Sequence, residues 1–194
     1  MAVYRIFPES DSFIYTENIQ GNAGRDEILE IGGYPVSAVG QTSRTIVKFS
    51  TFDIQDTLNS KVGTSSFDAF LHLSLASAYE LPQSYSLYSY PVYDDWTNGV
   101  GKFGDIPINK SGCSWKNRLA GTNHPWTTVS QQITTTSELG FTLNNNELHT
   151  TSSFEATLTG GGSWYFTSGS APTILSGSQS FNKNSVISSL TKFK

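Results

Sequence analysis

Two tryptophans, Trp96 and Trp115, bracket a run that holds Gly99, Gly101, Gly104 and Gly112. The surrounding stretch, residues 85–118, reads YSLYSYPVYDDWTNGVGKFGDIPINKSGCSWKNR. It starts as a strand and becomes a polar, glycine-spaced connection. Glycine at that density packs no side chains and weakens helices and strands alike. A connection this long needs its ends held. Two indole rings sunk into a core, with Asn117 and Arg118 just behind the second, do that. The rest of the chain must therefore supply a core that a long loop can be stitched to.

Short strands are the best candidates for that core. The chain has 28 Ser, 21 Thr and 17 Gly, 13% aromatics and only 14% charged residues. This is the composition of many short strands and turns, and no long helical period interrupts it. Phe13 and Tyr15 alternate with Ile14 and Thr16 in a first strand. The NIQGNAG run at 18–24 is turn chemistry, because Asn and Gly tolerate positive φ. Residues 27–31 predict a second short strand ended by Gly32 and Gly33. Thr45, Val47 and Phe49 alternate with Arg44, Ile46 and Lys48, giving one apolar and one mixed face. The run DIQDTLN at 53–59 predicts a short helix capped by Asp53. Phe67, Ala69, Leu71, Leu73 and Leu75 share one face of a longer strand opposite Asp68, His72 and Ser74. That is the cleanest period-two signal and predicts a central core strand. Strands are expected within 129–143, at 154–158 and from 164, with a turn at 144–146. Val186, Ile187 and Leu190 have helical spacing, so a short C-terminal helix is expected over 184–194.

These readings combine into an all-β, jelly-roll-like antiparallel β-sandwich with one or two short helices. At 194 residues it is expected to be a single domain, residues 1–194, with 144–194 as an irregular C-terminal extension. The net charge of −4 argues against a general nucleic-acid binder. No apolar run approaches the ~20 residues of a membrane helix. The N-terminus lacks the charged and apolar regions of a signal peptide, so folding in the cytosol of the producing cell is expected. One cysteine, Cys113, allows no intrachain disulfide.

Catalytic chemistry finds little support in the spacing. His72, His124 and His149 show neither HxH nor HExxH spacing for zinc. Cys113 sits in a Gly-Ser loop without a histidine nearby. Asp94 and Asp95 are adjacent, so in a strand they point opposite ways and cannot form a hydrolytic dyad. They suit a solvated turn, with Ca²⁺ ligation alongside Asp105 as the sharper alternative. Gly160, Gly161 and Gly162 lack the Lys-Ser/Thr of a phosphate loop. No catalytic residue, metal or cofactor is assigned, and an enzyme is not expected.

Several motifs, in order, resemble one family. They are Asp11-Ser12-Phe13, the Asn22-Ala23-Gly24 turn, Leu29-Glu30-Ile31-Gly32 and the arginine-led strand from Arg44 to Phe49. Trp96-Thr97-Asn98-Gly99 and Ser114-Trp115-Lys116-Asn117-Arg118 complete the series. Residues 10–118 thereby resemble the disaggregatase-related, DNRLRE-type β-sandwich domain, in the form found in virion structural proteins of large tailed phages, notably of marine cyanobacteria. Asn98 stands where that family has Glu. The family also runs on into further strands after a segment that residues 180–192 match. An edge left open there is expected to be closed by a partner subunit or by a rearranged C-terminal half.

The resemblance implies a non-enzymatic virion protein of head, neck, tail or baseplate, assembled in the host cytoplasm. Its partners would be other virion proteins, in multiple symmetric copies, with no nucleic acid and no membrane. Trp96, Trp115, Phe49 and Arg118 are the expected structural anchors. Relatives of the domain are carbohydrate-binding modules, which gives the alternative of an adhesin recognising host-surface glycans. Trp126, Trp164 and Tyr165 lie beside Pro or Gly and are expected to be exposed, where their rings would meet sugars or neighbouring subunits.

Overall fold

A computed structural model describes residues 2–34, 41–63, 65–76, 84–127, 161–163, 177–182 and 191–193. The fold is mainly β, with small antiparallel sheets and one short α-helix among the described residues. Backbone packing divides the chain into two compact units, Met1–Thr64 with Val92–Ser163 and Ser65–Pro91 with Trp164–Lys194.

The first unit is built on a three-stranded sheet. Strand β1 is Pro8–Tyr15, β2 is Gly32–Tyr34 and β3 is Gln41–Phe49, in the order β1-β3-β2. Phe13 pairs with Thr45 and Ile14 with Arg44, and the register shifts between Pro8 and Ser10. Proline has no N–H for the ladder, so it suits a strand start. Both faces of β1 are covered. Ile14 packs with Ile46, Trp96, Cys113, Trp115 and Trp126 on one face. Phe13 and Tyr15 pack with Ala23 and Leu29 on the other. Residues 12–15 are therefore all buried despite their alternation.

Three expectations change here. The second strand is not 27–31 but Gly32–Tyr34, because the two glycines pair with Ser43 and Thr42 of β3. Upstream of it Leu29 packs into the Phe13 cluster instead. On β3 the mixed face carries the larger core, because Arg44 lays its guanidinium 4.7 Å over the Trp115 ring and donates to the Gly161 carbonyl at 2.6 Å. The aromatic face offsets part of the cost of placing an arginine beside a core. The helix α1 spans Thr51–Thr57, earlier than expected, and Ser50 rather than Asp53 caps it. The Ser50 hydroxyl accepts the Asp53 N–H at 3.2 Å, so Asp53 lies in the first turn, where its charge suits the helix dipole. A π-helical turn, Leu58–Val62, follows and stops at Gly63, whose φ of 60° favours glycine.

The second unit contains two-stranded ladders. Strand β4, Leu71–Leu73, pairs with β7, Thr191–Phe193, and β5, Ser84–Ser89, pairs with β6, Gly177–Asn182. The core strand expected over 67–75 is thus three residues long, and Phe67, Phe70 and Leu75 are about half exposed. Alternation identifies a strand's faces but not whether anything covers them. The C-terminal helix expected over 184–194 is replaced at 191–193 by β7. The strands and turn expected at 129–143, 144–146, 154–158 and 164–166 lie outside the described residues, as does most of the extension expected over 144–194.

Candidate binding groove

The loop between the tryptophans is held by a buried asparagine. Asn22 Nδ2 donates to the carbonyls of Asn98, at 2.5 Å, and Cys113, at 2.8 Å. Its Oδ1 accepts the N–H of Gly101 at 2.8 Å and that of Gly24 at 3.3 Å. Its own N–H donates to the Asn109 carbonyl at 3.0 Å. One side chain thus replaces a strand partner for backbone that has none, which buried peptide groups require. The packing is tight enough to exclude side chains. A Cβ at Gly101 would lie 2.5 Å from the Asn22 carbonyl oxygen, and one at Gly112 2.5 Å from that of Asn98.

The ends of the loop are tied to each other. Cys113 N–H donates to Thr97 O at 2.7 Å, and Thr97 N–H to Arg118 O at 3.2 Å. Trp96 and Trp115 are both buried in one cluster, Trp115 completely. Ser114 and Asn117 close a turn around Trp115: Ser114 N–H reaches Asn117 O at 2.7 Å, and Asn117 N–H reaches Ser114 Oγ at 3.0 Å. Arg118 Nη1 donates to the Asp95 carbonyl at 3.2 Å. Phe49 is only partly buried at the end of β3.

Trp126 requires a correction. It was expected to be exposed beside Pro125, yet it is only 4% exposed. Its Nε1–H donates to the Ser114 carbonyl at 3.0 Å and its ring joins the Trp96 and Trp115 cluster. That indole face is not open to a sugar or a partner. Trp164 and Tyr165 lie outside the described residues.

The acidic pair splits. Asp94 accepts the Thr127 N–H at 2.6 Å and the hydroxyls of Thr127 and Ser163 at 2.8 Å each. Partial burial works against ionisation of Asp94, but these hydrogen bonds and the Arg118 charge outweigh it and hold its pKa below the usual value. Asp95 turns outward to Lys48, 2.7 Å away, and that hydrogen bond lowers its pKa against a small opposing effect of burial. Cys113 is fully buried, and burial pushes its thiol up to about 12, despite hydrogen bonding that favours the thiolate. Among the described residues no three His, Cys, Asp or Glu side chains are grouped to hold a metal, and no helix is long and apolar enough to cross a membrane.

What the pinned loop does form is a groove of about 310 Å³ against the 15–22 turn. Tyr15, Glu17 and Asn18 line one side, and Lys102, Phe103, Asp105, Ile106, Ile108 and Asn109 line the other. Its geometry follows from short-range bonds. Lys102 N–H donates to Asp105 Oδ2 at 2.9 Å across Gly104, whose φ is 80°, and Phe103 N–H donates to Asp26 Oδ2 at 2.7 Å. The Phe103 ring meets Tyr15 edge-on, with centroids 4.8 Å apart. Burial first, then the charges of Asp26, Glu17 and Asp105, raise the Tyr15 pKa to about 12. Tyr15 is thus a neutral phenol in a lining that carries both carboxylates and the Lys102 ammonium.

Of these residues the sequence marked Asp105, as the sharper Ca²⁺ alternative, Asn22, as turn chemistry within the Asn22-Ala23-Gly24 motif, and Tyr15, as part of the first strand; the groove that joins them was not anticipated. Comparison with protein-family models, curated proteins and solved structures found no match.

Proposed function

We propose that the chain is a non-enzymatic structural protein of a tailed-phage particle. In this reading its β-rich body, arranged as a jelly-roll-like sandwich, acts by adhesion to neighbouring virion subunits in several symmetric copies. One observation carries the proposal: the second unit presents Phe67, Phe70 and Leu75 to solvent beside a three-residue ladder. Half-exposed apolar side chains flanking a short ladder are groups that a subunit contact can cover. The motif series from Asp11 to Arg118 supplies the link to phage particles. A stable contact would bury about 800 Å² on each partner.

Purified particles provide the test. The chain should be present in fixed stoichiometry, and the double variant Phe67→Ser, Phe70→Ser should fold yet fail to incorporate. A chain found only free in the lysate would refute the proposal. A second reading, a module recognising host-surface glycans, is favoured by the groove, which places an exposed aromatic ring among hydrogen-bonding side chains. Saturable binding of a sugar panel to the whole chain tests that reading.

A further inference from the structure

We propose that the groove between Tyr15 and Asn109 is a binding site for a neutral saccharide, one or two units long, with Phe103 as its stacking platform. This rests on the glycan reading and gives it a location and a substrate class.

The argument comes from which chemistries can use the whole lining. Glu17 and Asp105 are acceptors, while Lys102 and the amide groups of Asn18 and Asn109 offer donors. Tyr15 is itself buried and contributes to the lining as packing. An anionic ligand would be repelled by the carboxylates of Glu17 and Asp105, with Asp26 close behind at the Phe103 backbone. A cation would meet Lys102 and would leave the amide donors unused. A polyol presents hydroxyls that donate and accept in turn, so it can satisfy both sets. It also carries a face of C–H bonds, which suits an aromatic ring beside aliphatic walls. Phe103 is about half exposed, Ile106 is 97% exposed and Ile108 is also open to solvent.

Preorganisation supports the same conclusion. The Phe103 backbone is fixed by Asp26, the 102–105 turn by Asp105, and the far end by Asn22 through the Asn109 carbonyl. The ring rests against Tyr15 and against Phe13, the latter with centroids 6.0 Å apart. A ligand therefore meets groups already in place and orders little on binding. The cavity volume lies at the lower end of the range for small-molecule sites, about 300 Å³ and upward, which suits a short sugar.

The test is calorimetric titration of the full chain with neutral disaccharides of glucose, galactose, mannose and N-acetylglucosamine, with glucuronate and glucosamine as charged probes. At least one neutral sugar should bind saturably and more tightly than either charged probe. Phe103→Ala should weaken that binding about tenfold, the loss of one stacking contact. Because Phe103 also touches Phe13 and Tyr15, the exposed Glu17→Gln is the second variant, with an expected weakening of about threefold to tenfold. Circular dichroism melts confirm that each variant is folded. Neutral binding that both folded variants leave unchanged would overturn the groove while leaving the glycan reading standing. No neutral sugar bound at all would overturn both. Tighter binding of glucuronate or glucosamine would overturn the assignment to neutral saccharides.

Discussion

The described parts of the two units differ in how their short strands are covered. Among the described residues, nine buried apolar side chains belong to the first unit, and one, Phe181, belongs to the second. The first unit wraps a three-stranded sheet in loop. Its loop has almost no secondary structure, yet it is fixed by Asn22, by three buried tryptophans and by backbone bonds between its own ends. The second unit has regular ladders but leaves Phe67, Phe70 and Leu75 in solvent. Regular hydrogen bonding and dense packing are therefore separable. Irregular backbone can be the firmest part of a fold when buried polar groups are satisfied, whereas a two-stranded ladder is marginal by itself.

That contrast can be broken most severely at Trp115. Trp115→Ala should destabilise the first unit by about 3–5 kcal/mol, the range for deleting a large buried aromatic, with Arg44 losing its platform. Urea denaturation followed by tryptophan fluorescence measures it. Asn22→Ala comes next. It leaves two carbonyls and the Gly101 N–H without their partner, and about 3 kcal/mol is expected from buried groups left unsatisfied. A loss below about 0.5 kcal/mol would mean that the loop is held by the rings alone.

Asp94 sharpens the comparison through pH. Its folded pKa is lowered, so it contributes stability above its unfolded value of about 3.9, and that contribution is lost as pH falls through the folded pKa. Asp94→Asn should cost about 1 kcal/mol at pH 7 and flatten the acid limb of the stability profile below pH ~4. Asp95, exposed and paired with Lys48, should show a much smaller effect, because surface pairs contribute little. Phe67→Ser and Phe70→Ser, at half-exposed positions, should each cost the isolated chain no more than about 1 kcal/mol, while abolishing incorporation into particles.

Legibility in the sequence follows the same division. The loop and its tryptophan ends were readable because bulky rings at both ends of a glycine run have few other uses. The mainly β character was readable from composition and alternation. Asn22 was not, because a side chain that bonds backbone 76 and 91 residues away leaves no local pattern. Trp126 misled for a related reason: Pro125 marks a loop, but the Ser114 carbonyl that receives the indole N–H is placed by tertiary packing. The 67–75 run misled in the other direction: only Leu71–Leu73 forms a ladder strand, and Phe67 and Leu75 on the same face are about half exposed. The groove needs the 15–22 turn and the 102–109 loop brought together, and no motif encodes that meeting.

Amide hydrogen exchange on the intact chain tests the central claim most directly. The amides of Gly101, Cys113 and Asn117, bonded to Asn22, Thr97 and Ser114, should exchange only with global unfolding, although none lies in a named strand. Exchange there as fast as at the exposed residues 66–70 would mean that the loop is not pinned and that the groove it lines is not preformed.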